Sequence, residues 1–265
     1  MTCLKKPPSP YPPSTPKERK KDLKDVILKV ISNKKIAKNT YEMTLAGDIS
    51  DITAPGQFVN IKLDGFYLRR PISVCEARDG VLTLIYKAVG RGTELMAKMS
   101  GGEELLTLVG LGNGYNLTKA GEKPLLIGGG AGVPPMYMLC RELIEMGKKP
   151  TVILGFGSKD EVFYKQEFTK LGANVLVTTA DGTEGIKGFV TNAICEVDYT
   201  YFYTCGPEPM LKAVYKESKT SGQFSFEERM GCGFGACMGC SCKVVTGYKR
   251  ICKDGPVLEK EEILW

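Results

Sequence analysis

The chain has 265 residues, 43% of them hydrophobic and 25% charged, which is enough for two globular domains and a small module. No apolar run approaches the roughly 20 residues needed to span a bilayer and no signal-like segment opens the chain, so a cytoplasmic protein that does not bind membranes is expected. Ten cysteines then point to a reducing compartment, and the complete absence of histidine excludes Ser-His and Cys-His nucleophilic chemistry and a histidine base, leaving any reaction to cofactors.

Residues 1–24 carry seven basic side chains against two acidic ones, which is +5 of the net +6, so the rest of the chain is nearly neutral. The same stretch contains PPSPYPPSTP, whose prolines favour an extended chain. A disordered basic tail is expected, with RNA contact or docking as the alternative; nucleic-acid binding is not expected of the folded part.

Residues 25–118 change character. Runs rich in β-branched and aromatic residues begin at Val26, Tyr41, Gln57, Leu68, Val81 and Glu103. Six strands at this spacing predict a closed or nearly closed antiparallel β-barrel, with a helix from Thr93 before the last strand. Arg70-Pro71-Ile72-Ser73 puts a fork-shaped cation and a hydroxyl on one strand, where a pyrophosphate can meet both. GRGTELM, from Gly90 to Met96, runs a glycine turn into a helix start that favours phosphate. Each is by itself compatible with an edge-strand arginine or an ordinary turn; together they suggest a flavin site.

Residues 119–222 alternate strands and helices, the pattern of a doubly wound α/β domain with a parallel sheet. Helices are expected at Val133–Met146, about Glu161–Leu171, about Phe189–Glu196 and Glu208–Lys219. Gly128, Gly129, Gly130 and Gly132 follow the first strand, the setting in which a dinucleotide pyrophosphate is cradled. Val133 stands where a third glycine of GxGxxG would fall, which argues against a standard Rossmann dehydrogenase. Cys205-Gly206-Pro207 closes what reads as the fourth strand and should sit at the mouth of the ligand crevice, since open α/β sheets bind ligands beyond the carboxyl ends of their strands. Lys159 and Asp160 follow the second strand and pull opposite ways on the choice between NADP and NAD.

Residues 223–265 hold Cys232, Cys237, Cys240 and Cys252, with four, two and eleven residues between them. This spacing is that of plant-type 2Fe-2S ferredoxins. A zinc site is the alternative, although structural zinc sites bring ligands as two separated short pairs. Cys242 falls in the strand-like CKVVT and is expected to pack rather than ligate.

The ordered set RPIS, GRGT, GGGAGVPP, CGPEPM and a terminal EERMGCGFGACMGCSCKVVTGYKRICKDGPV resembles the ferredoxin-NADP reductase superfamily, and within it the PyrK family of dihydroorotate dehydrogenase B electron transfer subunits. The resemblance implies FAD on Arg70, Pro71, Ile72, Ser73, Ile85, Tyr86, Lys87, Gly92 and Thr93, with Ile72 where wider family patterns place a stacking aromatic residue. It implies NAD at Gly128, Gly129, Gly130, Gly132, Cys205, Gly206 and Pro207, with Cys205 near the nicotinamide. A 2Fe-2S cluster falls on Cys232, Cys237, Cys240 and Cys252. The implied partner is an FMN-containing catalytic subunit that oxidises dihydroorotate, in a heterotetramer with two subunits of each kind. Related subunits of sulfide dehydrogenase or NADH-dependent ferredoxin-NADP reductase share these modules and remain the competing readings, beside a zinc-stabilised binding module.

Overall fold

A computed structural model describes residues 24–265; of the expected basic tail, only Lys24 lies among them. Strands β1 (Asp25–Ala37), β2 (Thr40–Ala46), β3 (Phe58–Ile61), β4 (Arg70–Arg78), β5 (Val81–Lys87) and β6 (Glu104–Leu111) close a barrel in the order β1-β2-β5-β4-β3-β6, every pair antiparallel. Alternation drives it: Val26, Leu28 and Val30 point inward along β1 while Asp25, Ile27 and Lys29 face out. The β4–β5 hairpin turns on Asp79 and Gly80, both at positive φ (53° and 76°), the two-residue turn that matches strand twist.

Between β5 and β6 lies α1 (Arg91–Met96), which starts two residues before the expected Thr93. Thr93 is the reason. Its hydroxyl accepts from the N–H groups of Val89 and Gly90 and so caps the first turn from inside it.

The second domain contains β7 (Pro124–Gly129), α2 (Pro134–Glu145), β8 (Thr151–Phe156), α3 (Lys165–Leu171), β9 (Asn174–Thr179), β10 (Ile186–Lys187), α4 (Val190–Ile194), β11 (Tyr201–Cys205), α5 (Glu208–Glu217) and β12 (Gly222–Ser225). The helix expected from Glu161 breaks: a 3-10 turn at Lys159–Glu161 is followed by Tyr164 at φ 64°, and only then by α3. Tyr164 is held there by its hydroxyl, which donates to Glu42 on β2 (2.7 Å), and by edge-on packing with Tyr137 and Phe168. Contact with the barrel thus overrides local helix propensity. The short β10 also makes β11, and hence Cys205, the fifth strand of this domain rather than the fourth.

Strands β13 (Ser241–Val244) and β14 (Gly247–Arg250), helix α6 (Ile251–Asp254) and strand β15 (Val257–Glu259) complete the chain. The parallel sheet runs β10-β9-β8-β7-β11-β12 and gains β15 as an antiparallel last strand. An unpaired edge on β12 is thereby covered by the cysteine-rich segment. The expected boundary at 222/223 falls inside β12.

The barrel and the sheet domain share a packed seam. Arg141 of α2 donates from Nε and Nη2 to the two carboxylate oxygens of Glu76 on β4 (2.7 and 3.0 Å), a bidentate pair only 15% and 17% exposed. Cys75 and Ile85 of the barrel belong to the same buried cluster as Leu126, Met136 and Cys140.

Candidate functional site

The four spaced cysteines form two pairs. The Cys232 sulfur accepts from the Cys237 N–H, and the Cys240 sulfur from the Cys252 N–H, each at 3.4 Å. Burial pushes the Cys232 thiol up, but the N–H groups of Cys237, Phe234 and Ala236 and the Cys237 thiol bring it down to about 6. Cys252 is pushed up to about 12 by burial and by Cys240 beside it. Gly233 (φ 79°) and Gly235 (φ 86°) give the loop the left-handed turns that let it curl around these sulfurs. Among the described residues no three Cys, Asp or Glu side chains converge on a single-ion centre. A donor set of four thiols, paired two and two and served by backbone N–H groups, fits an iron-sulfur cluster.

Cys242 stands apart. It is partly buried on β13, opposite Lys249 of β14, and lines a small separate cavity with Glu228 and Trp265.

Arg70, Pro71, Ile72 and Ser73 occupy β4 directly opposite Ile61, Asn60, Val59 and Phe58 of β3. The Arg70 guanidinium lies 4.6 Å over the Phe66 ring and donates to the carbonyls of Leu68 and Arg69. A Cβ on Gly92 would lie 2.2 Å from Arg70 Nε, so the glycine at the start of α1 makes room for the cation. An arginine with carbonyl partners, beside a cradle that any side chain would fill, fits a phosphate-bearing cofactor. Ile72 packs against the barrel core and presents no aromatic ring.

On β5, Ile85 and Tyr86 are buried. The Tyr86 hydroxyl donates to Asn33 (2.9 Å) and its ring stacks on Tyr41 at 5.9 Å. Lys87 leaves the barrel altogether: its ammonium meets Glu161 of the second domain at 2.8 Å.

Lys87 and Glu161 stand on the wall of a crevice of about 510 Å³ beyond the carboxyl ends of the parallel strands. Gly129, Gly130, Phe156, Phe189, Pro207 and Met210 line it as well. Crowding explains three of the four glycines of the turn. A Cβ would lie 2.8 Å from Val133 Cα at Gly128, 2.3 Å from Met210 Sδ at Gly129 and 2.1 Å from the Cys205 carbonyl oxygen at Gly132. Gly130 differs, with φ 51° and only Lys87 Nζ near, at 3.7 Å, so its backbone is open to a ligand. Such a turn fits a pyrophosphate.

Gly206 and Pro207 lead into α5, and Pro207 reaches the crevice. Cys205 does not line it. It is 1% exposed, packs in the same buried cluster as Tyr115 and Tyr203, and its thiol is pushed up by burial and by Glu227 nearby. Glu161 and the exposed Phe189 are crevice residues that the sequence reading passed over; each sits in a turn after or before an element, without a motif around it.

Comparison with known proteins agrees with this anatomy. Residues 227–264 match the iron-sulfur cluster binding domain of dihydroorotate dehydrogenase B, and residues 126–216 the oxidoreductase NAD-binding domain. The chain is 43% identical to the dihydroorotate dehydrogenase B (NAD(+)) electron transfer subunit of Geobacillus sp. (strain WCH70), covering 91% of this chain and 99% of that one. Against the corresponding subunit of Fusobacterium nucleatum subsp. nucleatum it is 46% identical, over 86% and 94% of the two chains. The NADH-dependent reduced ferredoxin-NADP oxidoreductase superposes with a TM-score of 0.82 at 29% identity, over 91% of this chain and 90% of that one. A ferredoxin NADP+ reductase from Neisseria gonorrhoeae, at 17% identity and a TM-score of 0.63 over 73% and 89%, shares the fold alone. On these matches the chain belongs to the family of dihydroorotate dehydrogenase B (NAD(+)) electron transfer subunits.

Proposed function

We propose that this chain carries electrons from an FMN-containing catalytic subunit, which oxidises dihydroorotate to orotate in pyrimidine synthesis, to NAD. When bound, a flavin exchanges two electrons with a nicotinamide and one at a time with an iron-sulfur cluster, which places it between the two. The observation that carries the reading is an adjacency: β3 pairs with β4, the strand of Arg70 and Ser73, and also touches the cluster loop through Asn60 and Cys232.

In this reading Cys232, Cys237, Cys240 and Cys252 would hold a 2Fe-2S cluster, which would supply one-electron transfer. Arg70 holds the flavin pyrophosphate, with Pro71, Ile72, Ser73, Ile85, Tyr86, Gly92 and Thr93 shaping the rest of the FAD site. Gly130 and its neighbours Gly128, Gly129 and Gly132 receive the NAD pyrophosphate, and Gly206 and Pro207 close the crevice on the α5 side. Glu161, on the crevice wall in the turn after β8, disfavours the 2′-phosphate of NADP. Cys205 supports the crevice from beneath, through the carbonyl packed on Gly132, rather than reaching the nicotinamide with its thiol. The assembled enzyme is a heterotetramer with two of each subunit.

Co-expression with a candidate catalytic subunit tests this. The two chains should co-purify as a coloured complex containing FMN, FAD, iron and acid-labile sulfide, and dihydroorotate should drive NAD reduction. Turnover supported only by a ferredoxin or a sulfide couple would move the chain to a related reductase. A colourless protein with stoichiometric zinc would end the redox reading.

A further inference from the structure

Arg250 stands between the two pairs of cysteines. It ends β14, lies opposite Ser241 in the β13–β14 register, and directly precedes α6, the helix that bears Cys252. The N–H of the next residue, Ile251, donates to the Cys240 carbonyl at 3.1 Å. The backbone here is therefore tied to the Cys240 and Cys252 pair.

The Arg250 side chain goes to the other pair. Its Nη1 donates at 2.8 Å to the carbonyl of Gly235, in the loop between Cys232 and Cys237. Gly235 is at φ 86°, and a Cβ there would lie 2.6 Å from Lys253 Cδ, so the loop passes close to α6. The Gly235 N–H faces the Cys252 sulfur. One guanidinium thus holds the loop residue whose amide serves a sulfur of the second pair.

Asp254 holds the guanidinium in turn. Its Oδ2 accepts from the Arg250 backbone N–H at 2.9 Å and from Nε at 3.2 Å. A cap on α6 would be complete with that pair, so the reach of Nη1 to Gly235 serves the cysteine loop. The Arg250 side chain is 27% exposed and that of Asp254 33%, so water screens the two charges only in part.

An electron added to a cluster on the four cysteines is shared with its sulfurs, and hydrogen bonds and nearby charge set how readily it enters. Arg250 brings both, a positive charge that it cannot lose and, through Gly235, an oriented N–H. We propose that Arg250 is a positioning residue that sets the reduction potential of the cluster: its charge and its hold on Gly235 favour the reduced form, and Asp254 tempers that charge. The inference rests on the placement of the 2Fe-2S cluster given above.

The test is a redox titration of the whole chain with its cofactors bound. Dithionite supplies the one electron, electron paramagnetic resonance counts the reduced cluster, and iron and acid-labile sulfide are measured beside it. Arg250→Met removes charge and donor, so at a fixed poise the ratio of reduced to oxidised cluster should fall about tenfold, or ~59 mV for one electron. Asp254→Asn keeps an acceptor but removes the opposing charge, so that ratio should rise about threefold. Shifts of opposite sign are the signature, since a residue that only packed the loop would not produce them. If Arg250→Met holds a full cluster at an unchanged or raised potential, or if Asp254→Asn lowers the potential, the proposal is overturned. Should the methionine variant fail to fold or lose its iron, the asparagine variant alone decides: a raised potential supports the proposal and an unchanged or lowered one refutes it. A wild-type chain purified without iron and sulfide would refute the placement of the cluster, and this inference with it.

Discussion

Lys87, the last residue of β5, reaches across from the barrel to place its ammonium 2.8 Å from the carboxylate of Glu161, on the turn after β8. Both side chains are a little over one-quarter exposed, and both face the crevice that holds Gly130. The pair therefore sits where a pyrophosphate would arrive, with Glu161 competing for the cation.

Removing the competitor should help the ligand. Glu161→Gln is expected to tighten NAD binding several-fold and Lys87→Met to weaken it by about tenfold. The stability change of either should stay below about 1 kcal/mol, because the pair is partly solvated. Titration with NAD followed by calorimetry, beside thermal unfolding, checks both parts.

The glycine turn makes a contrasting pair of predictions. Gly132→Ala drives a methyl into the Cys205 carbonyl, which is backbone and cannot step aside, so the protein should lose about 3 kcal/mol or fail to fold. Gly130→Ala meets open space and strains only its left-handed backbone, costing about 1 kcal/mol. It should fold and bind NAD poorly, since the methyl covers the amide that a phosphate would approach. Denaturant unfolding and NAD titration of the two variants distinguish them.

Cysteine replacement should divide the terminal thiols four to one. Serine at Cys232, Cys237, Cys240 or Cys252 is expected to abolish or strongly reduce bound iron and sulfide. Alanine at Cys242 should leave both at wild-type levels, since Cys242 faces a different cavity. Iron and acid-labile sulfide analysis of the purified variants gives the answer.

Glu259 on β15 predicts a pH dependence of stability. Burial raises its carboxyl, but Lys119 (2.8 Å), Gln223 (2.8 Å) and Tyr201 (2.9 Å) bond to the charged form and bring it below the ordinary value. A depressed carboxyl stabilises the fold above its unfolded value, near about 4.3, and loses that contribution as the pH falls through the lower folded value. Glu259→Gln should therefore be less stable than wild type at pH 7, and the gap should narrow below about pH 4. Unfolding midpoints at both pH values, for both proteins, measure it.

The sequence was a good guide wherever structure is local. Runs rich in β-branched and aromatic residues disclosed the barrel, and the cysteine spacing pointed to the sulfurs that the structure brings together as Cys232 with Cys237 and Cys240 with Cys252. It misled where distant parts of the chain decide. Tyr164 interrupts the helix expected from Glu161 because Glu42, 122 residues earlier, holds its hydroxyl. Cys205 reads as a crevice residue from its place at the end of a strand, yet its side chain points into the buried cluster shared with Tyr115, since successive strand residues face opposite sides. Lys87 and Glu161 are 74 residues apart and carry no common motif. No periodicity announces a meeting of that kind.

Strand β15 pairs with β12 over Gln223–Glu259, Phe224–Leu258 and Ser225–Val257, immediately after the helix that bears Cys252. The cysteine module is thus stitched into the same sheet that carries the glycine turn, instead of hanging from it on a linker. A carrier on a tether shuttles, and its rate falls as the solvent thickens or the tether is lengthened. Here the segment that follows Cys252 is anchored as β15 to the sheet that ends at the crevice, so transfer within the chain should be indifferent to viscosity, and its rate set by a fixed distance rather than by an excursion.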